Sequence, residues 1–115
     1  MNTPSLHLDA IFETRLDWKF KIVPPHLYGL RLGEIATAAL TLHDEAFALP
    51  AALIREDVLT GNSIWMRRFL AHSGASIAPH GKTTMAPQLF QRQLNDGAWG
   101  LTAATPAMRS SQELR

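Results

Sequence analysis

The sequence predicts an α/β fold in which helices cover a parallel sheet. From residue 50 onward, short apolar segments alternate with longer amphipathic ones, in the order strand, helix, strand, helix, strand. Proline and glycine residues bound these segments, as expected at turns. Short, right-handed connections between such elements make the strands parallel and place the helices outside the sheet.

Residues 1–48 are predicted to form a lead-in with one helix. Pro24 and Gly29 interrupt any long element in its first part. The following run is rich in helix formers and has an acidic residue near its start, which complements the helix dipole. We therefore expect a helix over residues 34–46.

Residues 49–106 are predicted to contain the first βα units. Residues 51–56 form a short apolar segment after Pro50, and their length favours a strand. Asp57 is placed to cap the next helix, which is expected to end near Gly74. Its apolar residues recur at helical spacing: Val58, Leu59, Trp65, Met66, Phe69 and Leu70.

The second predicted strand covers residues 75–82 and runs into a loop. Pro79 removes a hydrogen-bond donor from the strand ladder, and Gly81 relaxes the backbone. Lys82 is therefore expected at the carboxyl end of this strand. Because side chains two residues apart share a face of a strand, His80 and Lys82 are expected to point the same way.

A second helix is predicted to start at Pro87, because proline suits the first helical turn. Its apolar stripe consists of Leu89, Phe90 and Leu94, and the polar and glycine residues at 95–97 are expected to end it. A third strand follows over residues 98–104. The tail, residues 107–115, has little strand character and is predicted to diverge from the βα units that precede it.

Composition excludes several classes of function. The chain has 11 basic and 10 acidic residues, giving a formal net charge of +1, so no electrostatic footprint for nucleic acid is present. Absence of cysteine excludes disulfides and cysteine-based metal sites. No apolar stretch is long enough to span a membrane and no export signal opens the chain, so we expect a cytoplasmic protein.

The chemistry-bearing segment surrounds Lys82. The residues from Gly81 to Thr84 suggest a phosphate-binding P-loop, but that motif needs a glycine five positions before Gly81, where this chain has Ser76. Pro79 also removes an N–H donor that such a loop would use. A P-loop is therefore rejected.

Two stretches closely resemble bacterial amino-acid deaminases of the D-serine-dehydratase-like class: APHGKTTMAP at 78–87 and QLNDGAWGLTAAT at 93–105. A looser likeness extends back to residue 49. That class shares with alanine racemase an N-terminal barrel that binds pyridoxal phosphate. The resemblance therefore implies the beginning of a (β/α)8, TIM-type barrel. It carries over no metal site.

The resemblance also implies roles for three residues. Lys82 matches the lysine that forms the Schiff base with pyridoxal phosphate, and partial burial at a barrel mouth would favour its reactive amine. His80 and Thr83 would lie near the cofactor. The alternatives are a surface lysine, a loop histidine bonded to backbone and a threonine that merely suits a strand end. Some relatives have an arginine and a second histidine where this chain has Ala78 and Thr84.

A complete barrel takes about 250 residues, so the resemblance implies an N-terminal fragment that is inactive alone. The parent reaction would convert D-serine or a related D-hydroxy-amino acid to a 2-oxo acid and ammonia. Racemisation and retro-aldol cleavage remain open. Apart from a small amino-acid substrate, the expected partner is a second copy bound through an exposed sheet edge, with no nucleic acid or membrane. The alternative is a non-catalytic truncated product that self-associates.

Overall fold

The computed structural model describes residues 5–41, 47 and 49–105. The chain divides into two compact units. The smaller unit comprises residues 9–53, and the larger unit comprises residues 1–8 and 54–115. The predicted tail at 107–115 lies outside the described residues.

The smaller unit is built from short helical segments. It contains helix α1 (Asp9–Phe12) and two 3-10 segments, Pro25–Leu27 and Leu32–Ala38. Its buried side chains among the described residues are those of Leu16, Pro24 and Leu27, and Leu16 and Leu27 form its aliphatic core. Three backbone hydrogen bonds of 2.8–2.9 Å close the loop between them: Leu16 N to Leu30 O, Gly29 N to Leu16 O, and Leu32 N to Thr14 O.

The helix expected over residues 34–46 is shorter and of a different type. The 3-10 segment ends at Ala38, because Ala39 takes a left-handed conformation with φ of 47°. Its start is fixed by Glu34, whose carboxylate accepts the Arg31 backbone N–H at 2.9 Å. The end of the predicted helix, residues 42–46, lies outside the described residues.

The larger unit contains the two long helices. Helix α2 spans Glu56–Ser73 and helix α3 spans Pro87–Asn95. Both helices were predicted, and their positions are confirmed. Asp57, predicted as the cap of α2, lies instead in its first turn, and Arg55 occupies the capping position. Gly74 ends α2 with φ of 68°, its N–H donating to Leu70 O at 3.0 Å.

The core of the larger unit lies against α3. Phe90 and Leu94, four residues apart, are buried together with Ala98, so the amphipathic face of α3 points inward. Helix α2 buries none of its residues completely. Arg92 ties the two helices, donating to Glu56 Oε1 at 2.6 Å and Thr60 Oγ1 at 2.7 Å.

The predicted α/β class is wrong, and the beginning of a TIM-type barrel is not formed. The described residues contain no sheet: the segments predicted as the second and third strands meet at one isolated parallel bridge, between His80 and Thr102. Pro79 has no N–H to extend the ladder, and the chain turns at Gly81 into a 3-10 segment.

The first predicted strand, residues 51–56, is absent for a different reason. Residues 51–55 have no regular structure, and Glu56 already belongs to α2. Leu53 and Ile54 are exposed, so no neighbouring segment covers their apolar side chains. Apolar character alone does not make a strand without a partner to pair with. Within the described residues, no helix has the length and apolar character needed to cross a membrane.

Candidate functional site

Lys82 lies in a one-turn 3-10 segment, Gly81–Thr83, which we call the lysine turn. His80 precedes it and caps it, because its Nδ1 accepts the Lys82 backbone N–H at 3.1 Å. The backbone N–H groups of Thr84 and Met85 both donate to Gly81 O, which closes the turn.

The segment around Thr102 anchors the lysine turn. Gly81 is buried, and its N–H donates to Thr102 O at 3.1 Å. In return, Thr102 N–H donates to Pro79 O at 2.8 Å and the Thr102 hydroxyl donates to Ala78 O at 2.8 Å. The backbone that carries Lys82 is therefore held on its N-terminal side by three hydrogen bonds to one residue.

The side chains of the lysine turn face solvent to different degrees. Lys82 and Thr83 are exposed, and His80 is half-buried. Among the described residues, neither the Lys82 ammonium nor the Thr83 hydroxyl makes a hydrogen bond or ion pair. The partial burial expected for Lys82 at a barrel mouth is absent, so its amine is accessible to a reagent in solution.

The three residues singled out from the sequence are thus brought together, but by a turn. The strand that was expected to place His80 and Lys82 on one face is not formed, because His80 makes only an isolated bridge and the chain enters a 3-10 turn at Gly81. His80 contacts Lys82 through a backbone N–H, which leaves the lysine side chain free. The alternative of a loop histidine bonded to backbone describes this contact well.

The lysine turn suits the aldehyde group of pyridoxal phosphate better than its phosphate group. An exposed, unpaired primary amine suits covalent attachment to an aldehyde. A phosphate group would need backbone N–H donors, but the N–H groups of Lys82, Thr84 and Met85 already donate within the turn. The turn therefore offers few free N–H donors for a phosphate, and attachment would depend on the amine.

Sequence reasoning missed a groove on the larger unit, which we call the α2 groove. Its volume is about 250 Å³. Apolar side chains from α2 and from the two segments that flank α3 line most of it: Leu59, Met66, Leu70, Ile77, Pro79 and Ala98. The helical spacing of the α2 residues signalled an apolar face, but only the fold shows that this face is incompletely covered.

No three histidine, aspartate or glutamate side chains among the described residues lie close enough together to hold a metal ion. In comparisons with known proteins, no family model matches the chain and no curated protein is significantly similar to it. The resemblance to the deaminases therefore depends on the residues around Lys82 and on the segment at 93–105.

Proposed function

We propose that Lys82 is the attachment point for pyridoxal phosphate in a protein of the D-serine-dehydratase-like deaminase class. The observation that carries this proposal is the turn that presents the exposed Lys82 amine, which has no partner in the described structure, beside His80 and Thr83. The turn that presents it is anchored to Thr102. The surrounding stretch, 78–87, is the part of the sequence that most resembles the class.

The substrate class that follows is a small D-configured hydroxy-amino acid, with a 2-oxo acid and ammonia as products. When bound, pyridoxal phosphate supplies an electron sink for negative charge at the substrate Cα. Lys82 Nζ is the group on this chain that would hold the cofactor and, as a free amine, accept a proton. Racemisation and retro-aldol cleavage need the same lysine and remain alternatives.

His80 and Thr83 have supporting roles in this proposal. The bond from Lys82 N–H to His80 Nδ1 orders the turn and leaves the other ring nitrogen, Nε2, for contact with a ligand. The Thr83 hydroxyl is exposed and has no partner among the described residues, so it can also contact a ligand. Both residues are positioned by the same turn as Lys82.

We expect this 115-residue chain to hold the cofactor weakly and to be inactive alone. Lys82 is exposed rather than enclosed, so water reaches the amine and few side chains surround a bound ring to orient it.

A second candidate function is favoured by the exposed apolar side chains of the chain: a non-catalytic protein that self-associates. Trp65 and Phe69 support it, because they stack at 5.5 Å on the exposed side of α2. A cytoplasmic location stays a prediction from composition.

The proposal is tested by titrating the purified chain with pyridoxal phosphate and following its absorbance. Lys82→Ala should abolish most of the saturable spectral change, and the double variant Lys19→Ala, Lys21→Ala should keep it. The double variant is the matched control, because Lys19 and Lys21 are also exposed. Equal loss in both variants would contradict the proposal. A parallel assay for 2-oxo acid from D-serine should show no turnover by the chain.

A further inference from the structure

The α2 groove is large enough for a small organic molecule. Its volume is about 250 Å³, and all the residues that line it belong to the larger unit. A cavity of about 150 Å³ lined by apolar side chains binds benzene. The α2 groove therefore has room for an aromatic ring with a short side chain.

Four polar residues also line the groove, and they indicate which polar group a ligand should carry. Three of them, Asn62, Ser63 and Gln93, are uncharged, and their side chains make no hydrogen bond within the described part of the chain. Asp96 is the one charged residue of the lining, and its side chain is 23% exposed. A carboxylate beside an apolar wall favours a cationic ligand group.

The existing partner of Asp96 leaves room for a ligand. Arg67 Nε lies 3.9 Å from Asp96 Oδ1, beyond hydrogen-bond distance, and the Arg67 side chain is 52% exposed. Asp96 also occupies the C-cap of α3, where the helix carries partial negative charge. The helix end and the carboxylate therefore act in the same direction and attract a cation.

We infer that the α2 groove binds a small apolar amine, with its hydrocarbon part against Leu59, Met66 and Leu70 and its ammonium group at Asp96. This inference does not depend on the proposed role of Lys82, which does not line the groove. It concerns a separate ligand site in the same unit.

The test uses 2-phenylethylamine and its neutral analogue 2-phenylethanol as probes of similar shape. Each is titrated into the isotope-labelled 115-residue chain, and backbone amide shifts are followed by NMR. We expect saturable shifts at groove residues in the millimolar range. The amine should bind about fivefold to tenfold more tightly than the alcohol, because a hydrogen bond to a charged group is stronger than one between neutral groups.

Two substitutions should change the amine affinity in opposite directions. Asp96→Asn should bring the amine to the affinity of the alcohol, whereas Arg67→Met should tighten amine binding several-fold by removing the competing cation. Asp57→Asn is the control, because Asp57 is an exposed carboxylate outside the groove, and it should change nothing. Since Arg67 is half exposed, Arg67→Met should fold even if Asp96→Asn does not.

The inference is overturned by any of three results. The first is an absence of saturable shifts at groove residues up to the solubility limit of the amine. The second is equal affinity of the wild-type chain for amine and alcohol. The third is an amine affinity that neither Asp96→Asn nor Arg67→Met changes in the expected direction.

Discussion

Replacing Phe90 by alanine tests whether α3 forms the core of the larger unit. Phe90 is 2% exposed. A buried phenylalanine removes about 200 Å² from water, which at about 25 cal/mol per Å² corresponds to about 5 kcal/mol. Alanine retains part of this burial, while the cavity left behind adds a further loss. We therefore expect Phe90→Ala to lower the free energy of unfolding by about 3–5 kcal/mol.

Phe69→Ala is the matched control, because it is the same chemical change at a position that is 49% exposed. About half of the transfer free energy applies there and no enclosed cavity forms, so we expect a loss of about 1–2 kcal/mol. The Phe69 ring also stacks on Trp65, which contributes up to about 1 kcal/mol of that loss.

Urea titration followed by far-ultraviolet circular dichroism and by tryptophan fluorescence measures both variants. With a slope of about 2 kcal/mol per molar urea, a loss of about 4 kcal/mol lowers the midpoint by about 2 M. Phe69→Ala should lower it by less than half as much. Equal midpoints for the two variants, or a larger effect of Phe69→Ala, would refute the reasoning that α3 rather than α2 carries the core.

Two further predictions concern α2. The hydrogen bond from Arg92 lowers the pKa of Glu56, so its stabilising contribution is present above the ordinary carboxyl pKa of 4.5 and is lost as pH falls through the lower folded value. Arg92→Met should therefore weaken the acid dependence of the urea midpoint, and an unchanged dependence would contradict this. For the backbone, Gly74→Ala at φ of 68° should lower the free energy of unfolding by about 1–2 kcal/mol. Gly61→Ala lies within α2, where an added Cβ meets nothing within 4 Å, and should raise the free energy of unfolding by up to about 1 kcal/mol. Calorimetry can measure both substitutions, and effects of the same sign would contradict the bounds of α2.

The two long helices could be predicted from the sequence because their signals are local. Pro87 starts α3 and Gly74 ends α2, and each acts through its own backbone geometry. The apolar spacing of Phe90 and Leu94 also predicted a buried stripe, which the structure confirms. Such features depend on neighbours within a few residues and need no knowledge of the rest of the fold.

The strands could not be predicted in the same way, because a strand exists only when another segment pairs with it. Residues 51–55 have strand-like composition but form no bridge with another described segment. At Pro79 the missing N–H limits pairing with the segment around Thr102 to one bridge. The sequence-based alternation of strand and helix therefore predicted a sheet that does not form.

In the candidate site, too, the local features could be predicted from the sequence and the tertiary ones could not. His80, Lys82 and Thr83 are close because they are adjacent in the chain, so their grouping required no fold. The exposure of Lys82 depends on what the rest of the chain leaves uncovered. The α2 groove depends on tertiary packing too, since Asp96 and Met66 are distant in sequence and line the same groove only in the folded unit.

We propose that the lysine turn makes Lys82 more reactive toward pyridoxal phosphate than the other two lysines of the chain. Lys19, Lys21 and Lys82 are all exposed, so access alone predicts even modification by an aldehyde. Lys19 lies 5.7 Å from the centre of the Trp18 ring, whereas Lys82 is set in the turn beside His80 and Thr83. Comparing the three lysines therefore separates the effect of the turn from that of exposure.

The most direct measurement is the site at which pyridoxal phosphate attaches. The chain is incubated with limiting pyridoxal phosphate, reduced with borohydride, digested and mapped by mass spectrometry, with His80→Ala run in parallel to test the contribution of the turn. We predict preferential modification of Lys82 in the wild-type chain and a smaller preference in the His80 variant. Modification spread evenly over the three lysines, or concentrated on Lys19 and Lys21, would contradict the claim.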